Sequence, residues 1–149
     1  MVFLVSFNVS LYNKPAIRAG RNNETKQATT AGEPIPLSNY FKYGDQLTQS
    51  SDGKYIVIGE GVKIVRITGQ LHFAVNDTKC GLAIRVLKAN GVNQMIGCAY
   101  GGDTYTSNAT VLLEVEEGDK LYIATTSDSV INPSNGGGFR SYLMVEKIA

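Results

Sequence analysis

Ala109-Thr110-Val111-Leu112-Leu113-Glu114-Val115, the turn Glu117-Gly118-Asp119, and Lys120-Leu121-Tyr122-Ile123-Ala124-Thr125 together decide the fold. Two short apolar, β-branched runs flank a Gly-Asp turn, which reads as strand, turn and strand. Runs this short suit strands, whereas a helix needs ten or more uninterrupted residues.

The same grammar repeats outward from this stretch. Leu82 to Lys88 alternates up to Ala89-Asn90-Gly91, where an Asn-Gly pair tolerates positive φ and predicts a hairpin returning along Gln94 to Tyr100. Upstream, Tyr40 to Leu47, Tyr55 to Ile58 and Val62 to Val75 are strand candidates divided by Ser51-Asp52-Gly53 and Gly59-Glu60-Gly61. In the longest of these, Val62, Ile64, Arg66 and Thr68 share one face and Lys63, Val65 and Ile67 the other, with a break at Gly69 and a turn at Asn76-Asp77. At the start, Phe3, Val5, Phe7, Val9 and Leu11 alternate with Leu4, Ser6, Asn8 and Ser10, the pattern of a half-buried opening strand. The chain closes on a strand from Phe139 to Ile148. Eight to ten short strands without a helix or an internal repeat predict an all-β jelly-roll sandwich of two antiparallel sheets, one domain spanning 1–149.

Residues 13–37 stand apart. They are rich in Gly, Pro, Asn and Thr, show no apolar periodicity, and carry Lys14, Arg18, Arg21 and Lys26 against Glu24 and Glu33. A loop this long inside a compact domain is commonly functional or an assembly element. The expectation is a surface arm outside the core, stiffened by Pro15, Pro34 and Pro36, lying across a neighbouring subunit.

Composition narrows the function classes. At 149 residues with 43% hydrophobic content the chain can bury its own core. Fourteen basic residues against 13 acidic ones leave no field to gather a polyanion, which argues against nucleic acid, and no run is long enough to span a bilayer. Cys80 and Cys98 fall in strand candidates without metal-ligand spacing and read as free buried thiols, although a bridge in an exported protein stays open. Met1 to Val5 lacks the basic flank of a signal peptide, so synthesis is expected in the cytoplasm, and the sequons at Asn8, Asn23, Asn76 and Asn108 carry no weight.

No catalytic constellation stands out. His72 is the sole histidine, it sits between Leu71 and Phe73 in a strand pattern, and no G-x-S-x-G nucleophile motif occurs. Glu114, Glu116, Glu117 and Asp119 read as the solvated edge of a sheet. Gly136-Gly137-Gly138 lacks the Lys-Ser/Thr and helix of a phosphate loop. The expectation is no enzyme, no cofactor and no transition metal, with loop calcium near Asp103 or Asp128 left open. Two polar loops are the candidate binding surface. Tyr100, Asp103 and Tyr105 combine aromatics and a carboxylate in a way that suits a sugar face as well as it suits an ordinary loop, and Asn132, Asn135 and Arg140 are further candidates.

Several landmarks, in order, resemble the trimeric jelly rolls of the tumour-necrosis-factor and complement globular-head superfamily. They are Val5-Ser6-Phe7-Asn8-Val9-Ser10, Gly61-Val62-Lys63-Ile64 with Lys63 in place of the usual aromatic, Leu87-Lys88-Ala89-Asn90-Gly91, Thr110 to Leu121, and Phe139-Arg140-Ser141-Tyr142-Leu143-Met144 with Ser141 in place of glycine. The resemblance implies a homotrimer with Phe139 at its interface. Within the superfamily, the Asn- and Gly-rich turns look most like phage or prophage fibre and receptor-binding heads, an analogy of fold rather than of site. Two functions then compete: a virion or fibre head that attaches to a cell-surface glycan or protein, and an architectural virion trimer. A secreted cytokine-like ligand is a third.

Overall fold

The computed structural model describes residues 14–21, 25–74, 80–100, 105–133 and 140–149. Among them are twelve strands: β1 Ala16–Gly20, β2 Gln27–Thr29, β3 Asn39–Tyr43, β4 Leu47–Gln49, β5 Ile56–Ile58, β6 Ile64–His72, β7 Gly81–Leu87, β8 Asn93–Tyr100, β9 Thr106–Glu114, β10 Lys120–Thr125, β11 Ser129–Ile131 and β12 Tyr142–Lys147. One five-stranded sheet runs β3-β1-β12-β6-β9, a second runs β4-β5-β10-β7-β8, and β11 pairs with β2 in a small ribbon. Every pairing is antiparallel. This is the predicted jelly-roll sandwich.

Period-two alternation builds the core. Ile17, Val65, Ile67, Leu71, Leu143 and Val145 of the first sheet face Leu47, Ile56, Leu82, Ile84, Val86, Leu121 and Ile123 of the second, all buried. Each such side chain contributes about 1.5–3 kcal/mol of transfer free energy. The sheets approach closely at Gly69, where an added Cβ would lie 3.1 Å from Ile123 Cγ2 and 3.2 Å from Ile84 Cγ1. The glycine read as a break in a strand is therefore a packing position. The hairpin forms, but Gly91 at φ 91° is alone in positive φ and Asn90 is not; Lys88 N–H donates to Val92 O at 2.7 Å, and Val92 N–H donates to Asn90 Oδ1 at 3.0 Å.

The surface-arm reading of residues 13–37 is corrected. β1 lies inside the first sheet between β3 and β12, with Ile17 and Ala19 buried. Farther on, Gly32 N–H donates to Thr125 O and Ile35 N–H to Ile123 O, both at 3.0 Å, and Ile35 and Leu37 join the core. Two inward residues per strand, set among Lys14, Arg18 and Arg21, are too few to register as a period. Backbone partners in β3, and in β12 and β10 more than eighty residues away in sequence, supply the hydrogen bonds. Arg21 itself is buried, with Nη2 donating to Thr25 O at 3.0 Å and with Nε and Nη1 lacking partners among the described residues.

Three smaller readings change. Tyr40 to Leu47 splits into β3 and β4, which belong to different sheets, with Gly44 at φ 76° between them. The polar loop after Thr125 contains β11, whose Ile131 is buried. Cys80 is buried just before β7 and donates to Ser129 Oγ at 3.2 Å, but Cys98 is exposed, because it lies opposite Ala83 on the outward side of β8. The opening strand at 3–11 and the turn at Asn76-Asp77 lie outside the described residues.

Candidate functional site

Topology gathers the predicted loop residues at one end of the sandwich. The C-terminal ends of β6 and β8 and the N-terminal ends of β9 and β12 all meet there, since Gly81 pairs with Tyr100, His72 with Thr106, and Gln70 with Tyr142. Tyr100 is 64% exposed and Tyr105 half exposed. The Tyr105 carbonyl accepts from Phe73 N–H at 2.7 Å, so this loop is pinned at its base. Asn132 is spent on structure: its N–H donates to His72 O and its Nδ2 to Phe73 O, each at 2.8 Å. The Arg140 carbonyl accepts from Gln70 Nε2 at 2.8 Å, while its side chain is exposed. Asp103, Asn135 and Phe139 lie outside the described residues. The structure thus brings Tyr105, Asn132 and Arg140 around the end of β6, with Asn132 a strut rather than a ligand-facing group.

His72 closes this end. Its backbone N–H donates to Ser141 Oγ at 3.0 Å, and its Nδ1 is buried without a partner among the described residues. Burial first, and then the positive Arg140, push the imidazole pKa below its ordinary value. Among the described residues no cluster of three His, Cys, Asp or Glu could hold a metal ion.

A second feature escaped the loop-centred reading. The outward face of the first sheet carries the register rows Phe41, Arg18, Met144, Thr68, Thr110 and Tyr43, Ala16, Glu146, Arg66, Leu112. Phe41 is 75% exposed and Leu112 68%. A groove of about 290 Å³ runs between Phe41, Tyr43 and Met144. Arg18 lies over the Tyr142 ring at 4.3 Å, and Arg66 grips Glu146 through Nε at 2.8 Å and Nη2 at 3.1 Å, so the polar groups at the centre of this face are already mutually satisfied. The signal was present in Tyr40-Phe41-Lys42-Tyr43, three aromatics in four residues. Alternation alone does not say which face stays uncovered.

At the opposite end the Gly-Asp turn is a buried electrostatic clasp. Asp119 Oδ1 accepts from Ala89 N–H at 3.0 Å, and Oδ2 accepts from Glu116 N–H at 2.9 Å and Lys88 Nζ at 2.8 Å. Burial pushes this carboxyl pKa up, but the Lys88 and backbone hydrogen bonds together outweigh burial and hold it below the ordinary carboxylate value. Asp119 is therefore no part of a solvated sheet edge, as its sequence setting suggested.

No known family profile matches the sequence, and no curated protein sequence matches it. Solved structures do share its fold. Eiger TNF from S. frugiperda superposes with a TM-score of 0.72 at 10% identity, covering 92% of this chain and 94% of that one. Murine APRIL, solved at pH 8.0, gives 0.71 at 11% identity over 91% and 99%. The globular domain of zebrafish complement 1qA gives 0.56 at 16% identity over 91% and 98%. At these identities the likeness is one of fold: the chain is a TNF-like jelly roll.

Proposed function

We propose that this chain is a non-catalytic, homotrimeric head domain that binds a cell-surface glycan or protein. The observation that carries the assembly is the outward face of the first sheet. Phe41, Tyr43 and Leu112, with the half-buried Met144, leave apolar surface open to water along this one face. Enclosing such a face between copies about a closed axis removes it from water without leaving a free edge. The shared fold with TNF and complement heads supports this reading. The exposed Tyr100 and Tyr105 at the loop end support recognition there. The setting we infer, the tip of a bacteriophage or prophage fibre on the virion surface, rests on the sequence resemblance alone.

Sedimentation of the purified chain tests the assembly. A trimer at micromolar concentration is expected, and Phe41→Arg combined with Leu112→Arg should yield a folded monomer. A wild-type monomer would refute it. A glycan array and cell-binding assay test recognition, and the absence of binding to any glycan or cell surface would leave an architectural trimer instead.

A further inference from the structure

Away from the loop end and the apolar face, the outward side of the second sheet holds a set of hydrogen-bond donors that no carboxylate among the described residues ion-pairs, although Asp52 and Glu33 act through space on the neighbouring Tyr55. Tyr122 pairs with Arg85 and Lys120 with Leu87 across β10 and β7, while Met95 and Asn93 stand opposite Arg85 and Leu87 on β8. Ile84 and Val86 point into the core, so Arg85 and Leu87 point out, and Lys120 and Tyr122 share their side. The Tyr122 ring is buried, with Tyr55 set edge-on at 5.5 Å and 82°.

This arrangement fixes the guanidinium. Arg85 Nε donates to Tyr122 Oη at 3.0 Å and also lies 3.3 Å from Asn93 Oδ1, and Tyr122 O–H donates to the same Asn93 oxygen at 3.0 Å. The Arg85 Nη1 and Nη2 fork has no partner among the described residues, and no carboxylate there forms an ion pair with Arg85 or Lys120. Asn93 spends its oxygen on this network, which leaves its Nδ2 as a donor. Lys120 Nζ is held 5.5 Å over the Tyr55 ring. Beside Lys120, a cavity of about 300 Å³ opens between Leu87, Lys88, Ala89, Gly91 and Gly118.

The groups left unspent by Arg85, Asn93 and Lys120 are all donors: a guanidinium fork, an amide and an ammonium. A neutral sugar hydroxyl needs acceptors as well as donors, whereas a carboxylate or sulfate offers acceptors only. The planar fork of Arg85 matches such an oxyanion bidentately, and its Nε anchorage has already restricted the rotamers that binding would otherwise have to freeze. The adjoining cavity gives room for a sugar ring next to the charge. We propose that Arg85, Asn93 and Lys120 form an anion subsite for an acidic glycan, taking the carboxylate of a sialic acid or the sulfate of a sulfated sugar. The inference rests on the glycan-binding reading above and moves the contact from the loop end to the second sheet.

The test is titration of the full chain with 3′-sialyllactose, a heparin-derived hexasaccharide, and lactose as the neutral control. At least one anionic probe should bind while lactose does not, with affinity falling as salt rises. Arg85→Gln should weaken that probe by about tenfold to a hundredfold, the loss of a charged bidentate contact, and Lys120→Gln by a smaller factor. A circular-dichroism melt close to that of wild type shows that each variant folds. Sialyllactose binding identifies the carboxylate source and hexasaccharide binding the sulfate source. Equal affinity of Arg85→Gln and wild type for the anionic probe would overturn the subsite, and if Tyr105→Ala abolished binding in that case the head-domain reading would stand without it. Binding of lactose as tight as that of the anionic probes would also overturn it. If the wild type bound none of the three sugars the subsite would fall, and an array positive for other glycans would then keep the broader reading alive.

Discussion

Asp119→Asn isolates the clasp that joins the Gly-Asp turn to the β7–β8 hairpin. The substitution keeps an oxygen for Ala89 N–H but turns an amide donor toward Glu116 N–H and Lys88 Nζ, which both donate to Oδ2 in the native protein. A hydrogen bond to a charged acceptor contributes about 1.5–3 kcal/mol, and a donor left unsatisfied costs about 1–3 kcal/mol. The Lys88 end counts for less, because its side chain is 25% exposed and water can replace the carboxylate. The expected loss is about 3 kcal/mol, or on the order of 6–12 °C in Tm for a chain of this size. Urea unfolding followed by circular dichroism measures it, at one fixed protein concentration because assembly contributes to stability. Lys88→Met should cost less than Asp119→Asn, since the two backbone donors remain on the carboxylate. The folded pKa of Asp119 lies below its unfolded value, so its contribution is full above about pH 4 and is lost as pH falls through the folded pKa. Asp119→Asn should therefore flatten the acid limb of stability. A loss under about 1 kcal/mol, or Lys88→Met costing as much as Asp119→Asn, would refute the account of the clasp.

Replacing residues 16–33 with a Gly/Ser linker should abolish folding, because it removes β1 from between β3 and β12; a dispersed NMR spectrum from that variant would contradict the assignment of β1. Ile17→Ala alone should cost about 2–5 kcal/mol in urea unfolding. Because the folded pKa of His72 is depressed, stability should be level above about pH 6.5 and decline below it as the unfolded chain takes up a proton first. His72→Gln should lessen that decline between pH 5 and 7, and identical pH profiles would count against it. Arg21→Met should leave Tm unchanged or raise it, since a buried guanidinium with two nitrogens unpaired among the described residues is exchanged for apolar volume; a fall of more than about 2 kcal/mol would mean the charge is compensated.

Period-two patterning and turn chemistry act within a few residues, and what depends on them was legible in the sequence. β6, β7, β9, β10 and β12 lie where alternation placed them, and the Asn90-Gly91 hairpin and Gly118-Asp119 turn sit where their residues demand. The all-β class and the sandwich follow from those elements, because half-apolar strands must close on a second sheet. What needed partners distant in sequence was not legible. β1 and the 31–37 segment carry too little apolar signal to be seen, yet hydrogen bonds to β12, β3 and β10 make them part of the sandwich. Which face of the first sheet stays uncovered, and which carboxylate is buried rather than solvated, likewise depend on register and on layers stacked in space. Phe41 and Ile17 are both apolar in short strands, and only the tertiary fold exposes the first and buries the second. Arg85, Asn93 and Lys120 are unremarkable one by one; the pairing of β7 with β8 and β10 puts three donors on one face, none of them in an ion pair among the described residues.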